Sequence, residues 1–401
     1  MRVTEFAKAG HLTTLISSFL YLTVHCMIWV LLGNLTIFIA QDFDLSASQQ
    51  GALAAAPILT GSVLRVPVGF LADRFGAKRI SAALQTLALL PLLGGWLVAD
   101  GAVSVMIIGL LLGVAGASFA VAIPLTSRWY PALHQGLANG IVGAGNVGTV
   151  FAAFLAPPLA EAAGWRQVFG IALFPALLIV AISRRFAKEY PRSDAPQRWS
   201  GYMKVVTEGD CWYFCLFYAI TFGGFVGLAS FLAVLFYDQY GLSRVMAGNM
   251  AALCVLSGSL FRPVGGYLAD RVGGVKLLSI VLGAIGVLTI GMGLLPSLSV
   301  MIVLLFLSMA AMGLGSGALF QVIPQRFRNE VGIATGIVGA VGGLGGFVLP
   351  LLLGLVKDLT DSYRPGLWLV ALVVLGAVVA LQAVQARWQA SWLRPSIRVR
   401  G

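Results

Sequence analysis

The sequence predicts an all-α integral membrane protein, with twelve transmembrane helices in two six-helix halves and both termini cytoplasmic. Three observations carry that prediction. Of 401 residues, 59% are hydrophobic and only 10% charged. Twelve separate apolar runs are each long enough to cross a bilayer. The stretch GSVLRVPVGFLADRFG at 61–76 recurs as GSLFRPVGGYLADRVG at 258–273, identical at nine of sixteen positions.

A soluble domain covers its surface with about 25% charged residues. With a mean hydropathy of +0.93, this chain has too little polar surface for water, so its exterior must face lipid. A bilayer core needs about 20 apolar residues per helix. Runs meeting that length lie near 14–40, 51–72, 80–99, 104–124, 136–158 and 166–183, then 211–236, 247–269, 276–295, 300–322, 332–355 and 366–386. The first run is too long for the apolar core of a cleaved signal peptide, which spans about 7–15 residues. It therefore reads as a membrane span. The polar stretch 184–210 divides the chain into an N-terminal half (1–183), a cytoplasmic linker (184–210) and a C-terminal half with a tail (211–401).

Lysines and arginines set orientation by collecting on the cytoplasmic side. With a cytoplasmic N-terminus, 20 of the 26 fall on that side and 4 on the other. The two that remain, Arg65 and Arg262, lie inside spans. The net charge of +11 is thus an orientation signal and not a nucleic-acid footprint. All 15 acidic residues fall in loops, at helix ends or in terminal segments. The four cysteines (Cys26, Cys211, Cys215, Cys254) lie in apolar segments without metal-ligand spacing and read as packing residues. No nucleophile–base pair, metal cluster or phosphate-cradling loop is present, so an enzyme, a metal site and a cofactor are not expected.

A second internal match supports the repeat. GLANGIVGA (136–144) and GIATGIVGA (332–340) agree at seven of nine positions. Second matches eighth and fifth matches eleventh, which makes a parallel repeat of six helices. Such repeats place a substrate path between the halves near the membrane midplane.

An arginine at a bilayer centre costs at least about 2.5–3.5 kcal/mol on insertion scales, and usually faces a cavity with a task. The bland alternative for Arg65 and Arg262 is a structural ion pair, but no carboxylate lies at their depth. A planar fork of N–H donors suits a planar oxyanion, one arginine from each half. Glycines one turn to either side (Gly61 and Gly69, Gly258 and Gly266) are expected to leave space around each guanidinium. The glycine-rich spans five and eleven read first as close helix packing through small residues. Beyond packing, exposed backbone at Gly143 and Gly339 can approach a ligand, and the Asn146 amide can donate to an oxyanion. Span eleven has glycine where span five has Asn146, so the halves are not chemically equal.

GFLADRFGAKR and GYLADRVGGVK, following spans two and eight, resemble the loop motif of the major facilitator superfamily. GLANGIVGAGNVGTVFAAFLAPPL and GIATGIVGAVGGLGGFVLPLLLG resemble the paired nitrate motifs of its nitrate/nitrite porter branch. The resemblance covers the whole chain. It implies the major facilitator fold, a cytoplasmic (inner) membrane location, a monomer, and nitrate, nitrite and protons as partners. It also implies that Arg65 and Arg262 hold the anion and that Asn146 lies close to it. By the same resemblance, the rings of Phe119 and Phe222 sandwich the anion and the Tyr218 phenol bonds it. At the loop motifs, Asp73 with Arg74 and Asp270 with Arg271 are expected to latch neighbouring helices as the halves rock.

His25 is the titratable candidate for proton coupling, although a lone buried histidine is more often a satisfied interhelical donor. The compact length resembles proton-symporting members of the branch, whereas the missing carboxylates favour nitrate/nitrite exchange. A major facilitator for another anion, an anion channel and a receptor without transport are the competing readings.

Overall fold

A computed structural model describes residues 9–190, 199–327 and 330–392. All twelve expected spans are helices long and apolar enough to cross a membrane. They are α1 (Leu12–Phe43), α2 (Ala47–Phe75), α3 (Ala77–Leu97), α4 (Ala102–Ser127), α5 (Ala138–Ala163) and α6 (Trp165–Phe186). After a short linker helix, Trp199–Thr207, come α7 (Gly209–Tyr240), α8 (Arg244–Val272), α9 (Gly274–Gly293), α10 (Leu298–Arg326), α11 (Val331–Thr360) and α12 (Arg364–Ser391). The basic stretch 192–198, the tail beyond 392 and Arg328, all used in the charge sort, lie outside the described residues.

Local chemistry sets the helix ends. Asp44 adopts a left-handed conformation (φ 49°) and closes α1. Ser46 then opens α2 with reciprocal bonds: its hydroxyl accepts from the Gln49 N–H (3.4 Å), and Gln49 Oε1 accepts from the Ser46 N–H (2.9 Å). These satisfy two donors that a helix start leaves orphaned. Between α2 and α3 the chain turns at Gly76 with φ +102°, and its repeat counterpart Gly273 does the same at φ +97°. Only glycine enters that region cheaply. The Glu189 carboxylate caps α3, accepting from the Lys78 N–H at 2.7 Å and the Ala77 N–H at 3.2 Å.

Besides a turn at Ala88 in α3, three spans depart from regular helix without a proline at the break. α4 is interrupted at Ala117–Ser118, α5 tightens into a 3-10 turn at Ala144–Val147, and α7 widens into a π turn at Ala219–Gly223. Each irregularity adjoins a residue singled out above: Phe119, Asn146 and the pair Tyr218 and Phe222.

The chain forms two compact units. One comprises Met1–Gln197 with Ala229–Ala252, the other Arg198–Leu228 with Leu253–Gly401. This partition differs from the repeat, because the second part of α7 and the start of α8 pack with the first six spans. There Gln41 donates to the Tyr237 hydroxyl (2.6 Å), and Arg244 pairs with Glu161 at 3.8 Å while lying over the Phe38 ring.

Inside each unit the repeat governs how close two helices come. In the first, a Cβ on Gly113 would meet the Gly61 backbone nitrogen at 2.6 Å, so α2 and α4 touch backbone to backbone. In the second, Gly313 presses on the Gly258 backbone, bringing α8 against α10. Small residues permit such crossings in lipid, where packing and not hydrophobicity drives association. The expectation of open space beside both arginines therefore needs correction. Gly61 and Gly258 are crossing points, and only Gly69 and Gly266 keep ordinary van der Waals distances, 3.9 Å to their nearest neighbours.

Candidate functional site

In the first unit Arg65 is 4% exposed. Its Nε donates to the Gly116 carbonyl at 3.3 Å. The guanidinium carbon lies 5.1 Å from the Trp29 ring centre and 5.0 Å from that of Phe119. Trp29 is itself anchored, donating through Nε1 to the Pro57 carbonyl at 2.8 Å. The break in α4 supplies both contacts from that helix, since Gly116 precedes it and Phe119 follows. Each ring contributes about 0.5–2 kcal/mol to a desolvated cation. Two together offset much of the insertion cost of about 2.5–3.5 kcal/mol. Both rings lie within cation–π reach of the guanidinium, and they meet each other edge-on with centres 6.3 Å apart.

The second unit repeats this arrangement with different chemistry. Arg262 is half-buried, with its guanidinium carbon 5.2 Å from the Phe222 ring centre and 5.7 Å from that of Phe320. Its Nη2 donates to the Tyr218 hydroxyl at 3.0 Å. Its Nη1 is buried and has no hydrogen-bond partner among the described residues. Tyr218 and Phe222 stack at 4.8 Å and 7°, across the π turn that brings both to one side of α7. Each arginine is thus held by one ring from the first helix of its set and one from the fourth.

Trp29 and Phe320 were missed in the sequence, although a signal existed. GASF at 116–119 recurs as GALF at 317–320, an offset of 201 instead of the 197 that relates the arginines. The extra turn hides the match in a fixed-offset comparison.

Asn146 is 3% exposed, and its bonds run elsewhere than to Arg65. Cys26 donates to its side-chain oxygen (Sγ–Oδ1 3.6 Å), and its backbone carbonyl accepts from Thr149 (2.8 Å). The glycine-rich spans divide by face. A Cβ on Gly140, Gly143, Gly336 or Gly339 would meet nothing within 4 Å. By contrast, Gly145 and Gly148 press on α1 at Leu22 and Thr23, and Gly342 and Gly345 press on α7 at Tyr218 and Ala219. One part of each motif packs and the other opens.

His25 is 1% exposed. Its ring meets Tyr21 edge-on at 4.5 Å and adjoins the Ala115 backbone carbonyl. At the loop motifs, Asp73 pairs with Arg128 at the end of α4 (2.7 Å). Arg74 lies over Phe75 and Arg271 over Tyr267, while Asp270 is exposed. No group of three or more metal-ligating side chains occurs among the described residues.

A second cluster, which sequence reading did not find, lies at the start of α7. The Asp210 carboxylate accepts from Arg326 (2.6 Å), Arg387 (2.6 Å) and the Trp388 indole (2.8 Å), and Glu208 also pairs with Arg326 (2.6 Å). It ties α7, α10 and α12 together at one end.

Comparison with known proteins agrees with this architecture. The Nitrite extrusion protein of Bacillus subtilis is 34% identical over 90% of this chain and 91% of its own length. The Probable nitrate transporter NarT of Staphylococcus epidermidis is 35% identical over 88% and 92%. Among solved structures, a bacterial homolog of the human lysosomal transporter Spinster, inward-facing and occupied, superposes with a TM-score of 0.76 at 18% identity, covering 95% of this chain and 98% of that one. The human organic anion transporter MFSD10 gives 0.73 at 16%, covering 93% and 99%. At such identities these two structures speak for the fold alone. The sequence model of the Major Facilitator Superfamily matches residues 17–350. The chain therefore belongs to the Major Facilitator Superfamily, in the branch its curated relatives form, and is a multi-pass transporter of the cytoplasmic membrane and not an enzyme.

Proposed function

We propose that this protein carries nitrate, and nitrite, across the cytoplasmic membrane by alternating access, with proton-coupled nitrate uptake as its direction. The observation that carries the reading is the pair of span-embedded arginines. Each lies within cation–π reach of two rings and carries a planar fork of donors suited to a planar oxyanion, and the neighbouring acidic residues are confined to helix ends. The names of the relatives, nitrite extrusion protein and nitrate transporter, support the same substrate class. Arg65 with Phe119, and Arg262 with Tyr218 and Phe222, recognise the anion. The open glycines Gly143 and Gly339 and the Asn146 amide complete its surroundings.

The six-helix sets 1–183 and 211–401, joined by 184–210, are the bodies that move, with both termini cytoplasmic as the charge sort requires. Asp73 with Arg128 and Arg74, and Asp270 with Arg271, act as latches at the cytoplasmic helix ends. The protein works as a monomer in the bilayer.

Energetics decide what must accompany the anion. Moving one negative charge into a negative interior costs about 2.3 kcal/mol per 100 mV. Each nitrate therefore needs at least one proton, and His25 is the candidate carrier. Exchange against nitrite avoids this cost and is the second reading, favoured by the lack of carboxylates within the spans. Proteoliposomes separate the two. Uptake driven by an inward proton gradient and abolished by dissipating it supports symport. Uptake only into nitrite-loaded vesicles supports exchange, and no saturable uptake under either condition refutes nitrate transport.

A further inference from the structure

α1 carries a line of polar residues that anion recognition does not use. Thr14, Ser18, Tyr21 and His25 follow one another at intervals of four, three and four. At 100° per residue they fall within about 60° of one helix face. All four are buried, between 0% and 1% exposed, so none serves as a contact with lipid headgroups or water.

The bland explanation is that each hydroxyl bonds back to its own helix. That is true elsewhere on α1: Thr23 donates to the Phe19 carbonyl at 2.9 Å, Asn34 to Val30 at 2.9 Å and Thr36 to Leu32 at 3.0 Å. Along the line it fails. Ser18 Oγ is buried with no hydrogen-bond partner among the described residues, while the Tyr21 hydroxyl meets Ser118 and His25 meets the Ala115 carbonyl, both on α4 and not on their own helix. Ser118 donates its own proton to the Ala115 carbonyl at 2.6 Å and keeps lone pairs to accept from the Tyr21 phenol. Burying polar groups costs stability unless they are paired, and a run of them on one face of an apolar helix needs a reason. Water bridging between such groups supplies one.

The two ends of the line define its use. At one end His25 stands one turn before Trp29, the ring over which Arg65 lies. At the other, Thr14 Oγ1 bonds His11 Nδ1 (2.7 Å) and accepts from the Lys188 N–H (3.0 Å), at the end of α1 assigned to the cytoplasm.

We propose that the face Thr14–Ser18–Tyr21–His25 is a proton conduit leading from the Arg65 anion site to the cytoplasm. This rests on the transport reading above. In the loaded carrier, His25 Nδ1 takes a proton from water, forming an N–H bond. On inward release that N–H bond breaks and the proton passes to bridging water. It moves on by exchange along the hydroxyls of Tyr21 and Ser18, each gaining one proton as it gives up another, and ends on cytoplasmic water.

Arg65 couples the two ions. Apart from it, α2 has its described charges at Asp73 and Arg74, α4 has none, α5 has only Glu161 and α6 has Arg166, Arg184 and Arg185, all near helix ends. On α1 itself Tyr21 and Cys26 are the nearest titratable neighbours of His25. An anion at Arg65 neutralises the one mid-span cation near His25 and so favours its proton. By reciprocity, the proton favours the anion.

The test uses full-length protein in liposomes loaded with a pH-sensitive dye, measuring nitrate-driven proton entry and nitrate/nitrite exchange separately. In Tyr21→Phe, Ser18→Ala and the double variant, the ratio of proton entry to exchange should fall about tenfold or more, as for loss of a positioned proton-transfer group. Thr36→Val, which removes a back-bonded hydroxyl from the same helix, should leave the ratio unchanged. Retained exchange certifies that each variant is folded. A wild-type ratio in the double variant overturns the conduit. A wild-type protein that exchanges anions but moves no protons also overturns it while leaving nitrate transport standing, and a protein that moves neither ion removes the reading beneath it.

Discussion

Arg262 gives one in-plane donor to Tyr218, at 3.0 Å, and keeps a second, Nη1, buried without a partner among the described residues. A fixed donor beside an idle one is what a site looks like before an acceptor arrives. Removing the phenol should therefore loosen the guanidinium without unseating it, since the Phe222 and Phe320 rings remain within cation–π reach. For Tyr218→Phe we expect the KM for nitrate to rise about ten- to a hundredfold, matching the roughly 1.5–3 kcal/mol of a hydrogen bond to a charged group. Initial-rate uptake in proteoliposomes measures it.

The two faces of span five predict opposite outcomes for one chemical change. A Cβ on Gly148 would drive into the Thr23 backbone on α1, whereas on Gly140 it would meet open space. Gly148→Ala should lower thermal stability in detergent by about 1–3 kcal/mol, the usual cost of overpacking. Gly140→Ala should be neutral or stabilising by about 0.5–1 kcal/mol, from reduced backbone entropy in the unfolded chain.

Asp210 gathers three donors from Arg326, Arg387 and Trp388. Asp210→Ala leaves a partly buried guanidinium without its shared acceptor. We expect a loss of about 2–3 kcal/mol, below the roughly 3–5 kcal/mol of a fully buried pair, because Arg326 keeps some contact with solvent and its bond to Glu208. Thermal unfolding of the purified variant reports it.

At the start of α1, His11 Nδ1 accepts from the Thr14 N–H at 3.2 Å, and its ring lies 4.9 Å from that of Trp129. Burial, and then the nearby charge of Lys188, hold its pKa below 6.5. The neutral ring is the folded form, so its stabilising contribution is complete above pH 6.5 and is lost as pH falls through the lower folded value. Acidification should loosen this end of α1, with Trp129 fluorescence changing below pH 6.5 and not above it. His11→Asn, which retains a capping acceptor, should abolish the pH dependence.

Much of this architecture is legible in the sequence, for identifiable reasons. Twelve spans are readable because lipid demands uninterrupted apolar length, and the two arginines stand out because charge is costly at their depth. Helix irregularity is harder to read. The breaks at Ala117–Ser118, Ala144–Val147 and Ala219–Gly223 contain no proline to announce them, yet they adjoin Phe119, carry Asn146 and join the Tyr218–Phe222 pair. Glycine is ambiguous for a related reason: Gly61 and Gly69 read alike in sequence, but only contacts reveal that one is a helix crossing and the other is not. The Asp210 cluster joins residues more than a hundred positions apart and has no local signature.

Substrate recognition through a planar fork is the claim on which the rest depends, and lysine in place of arginine tests it directly. Lysine keeps the charge but loses the in-plane pair of donors and the broad guanidinium contact with the neighbouring rings. Nitrate counterflow should be measured in proteoliposomes for wild type, Arg65→Lys and Arg262→Lys at matched protein incorporation. Counterflow that saturates in the wild type and falls about a hundredfold in each variant is the expected result. Wild-type counterflow in either lysine variant would contradict recognition of a planar anion by that arginine.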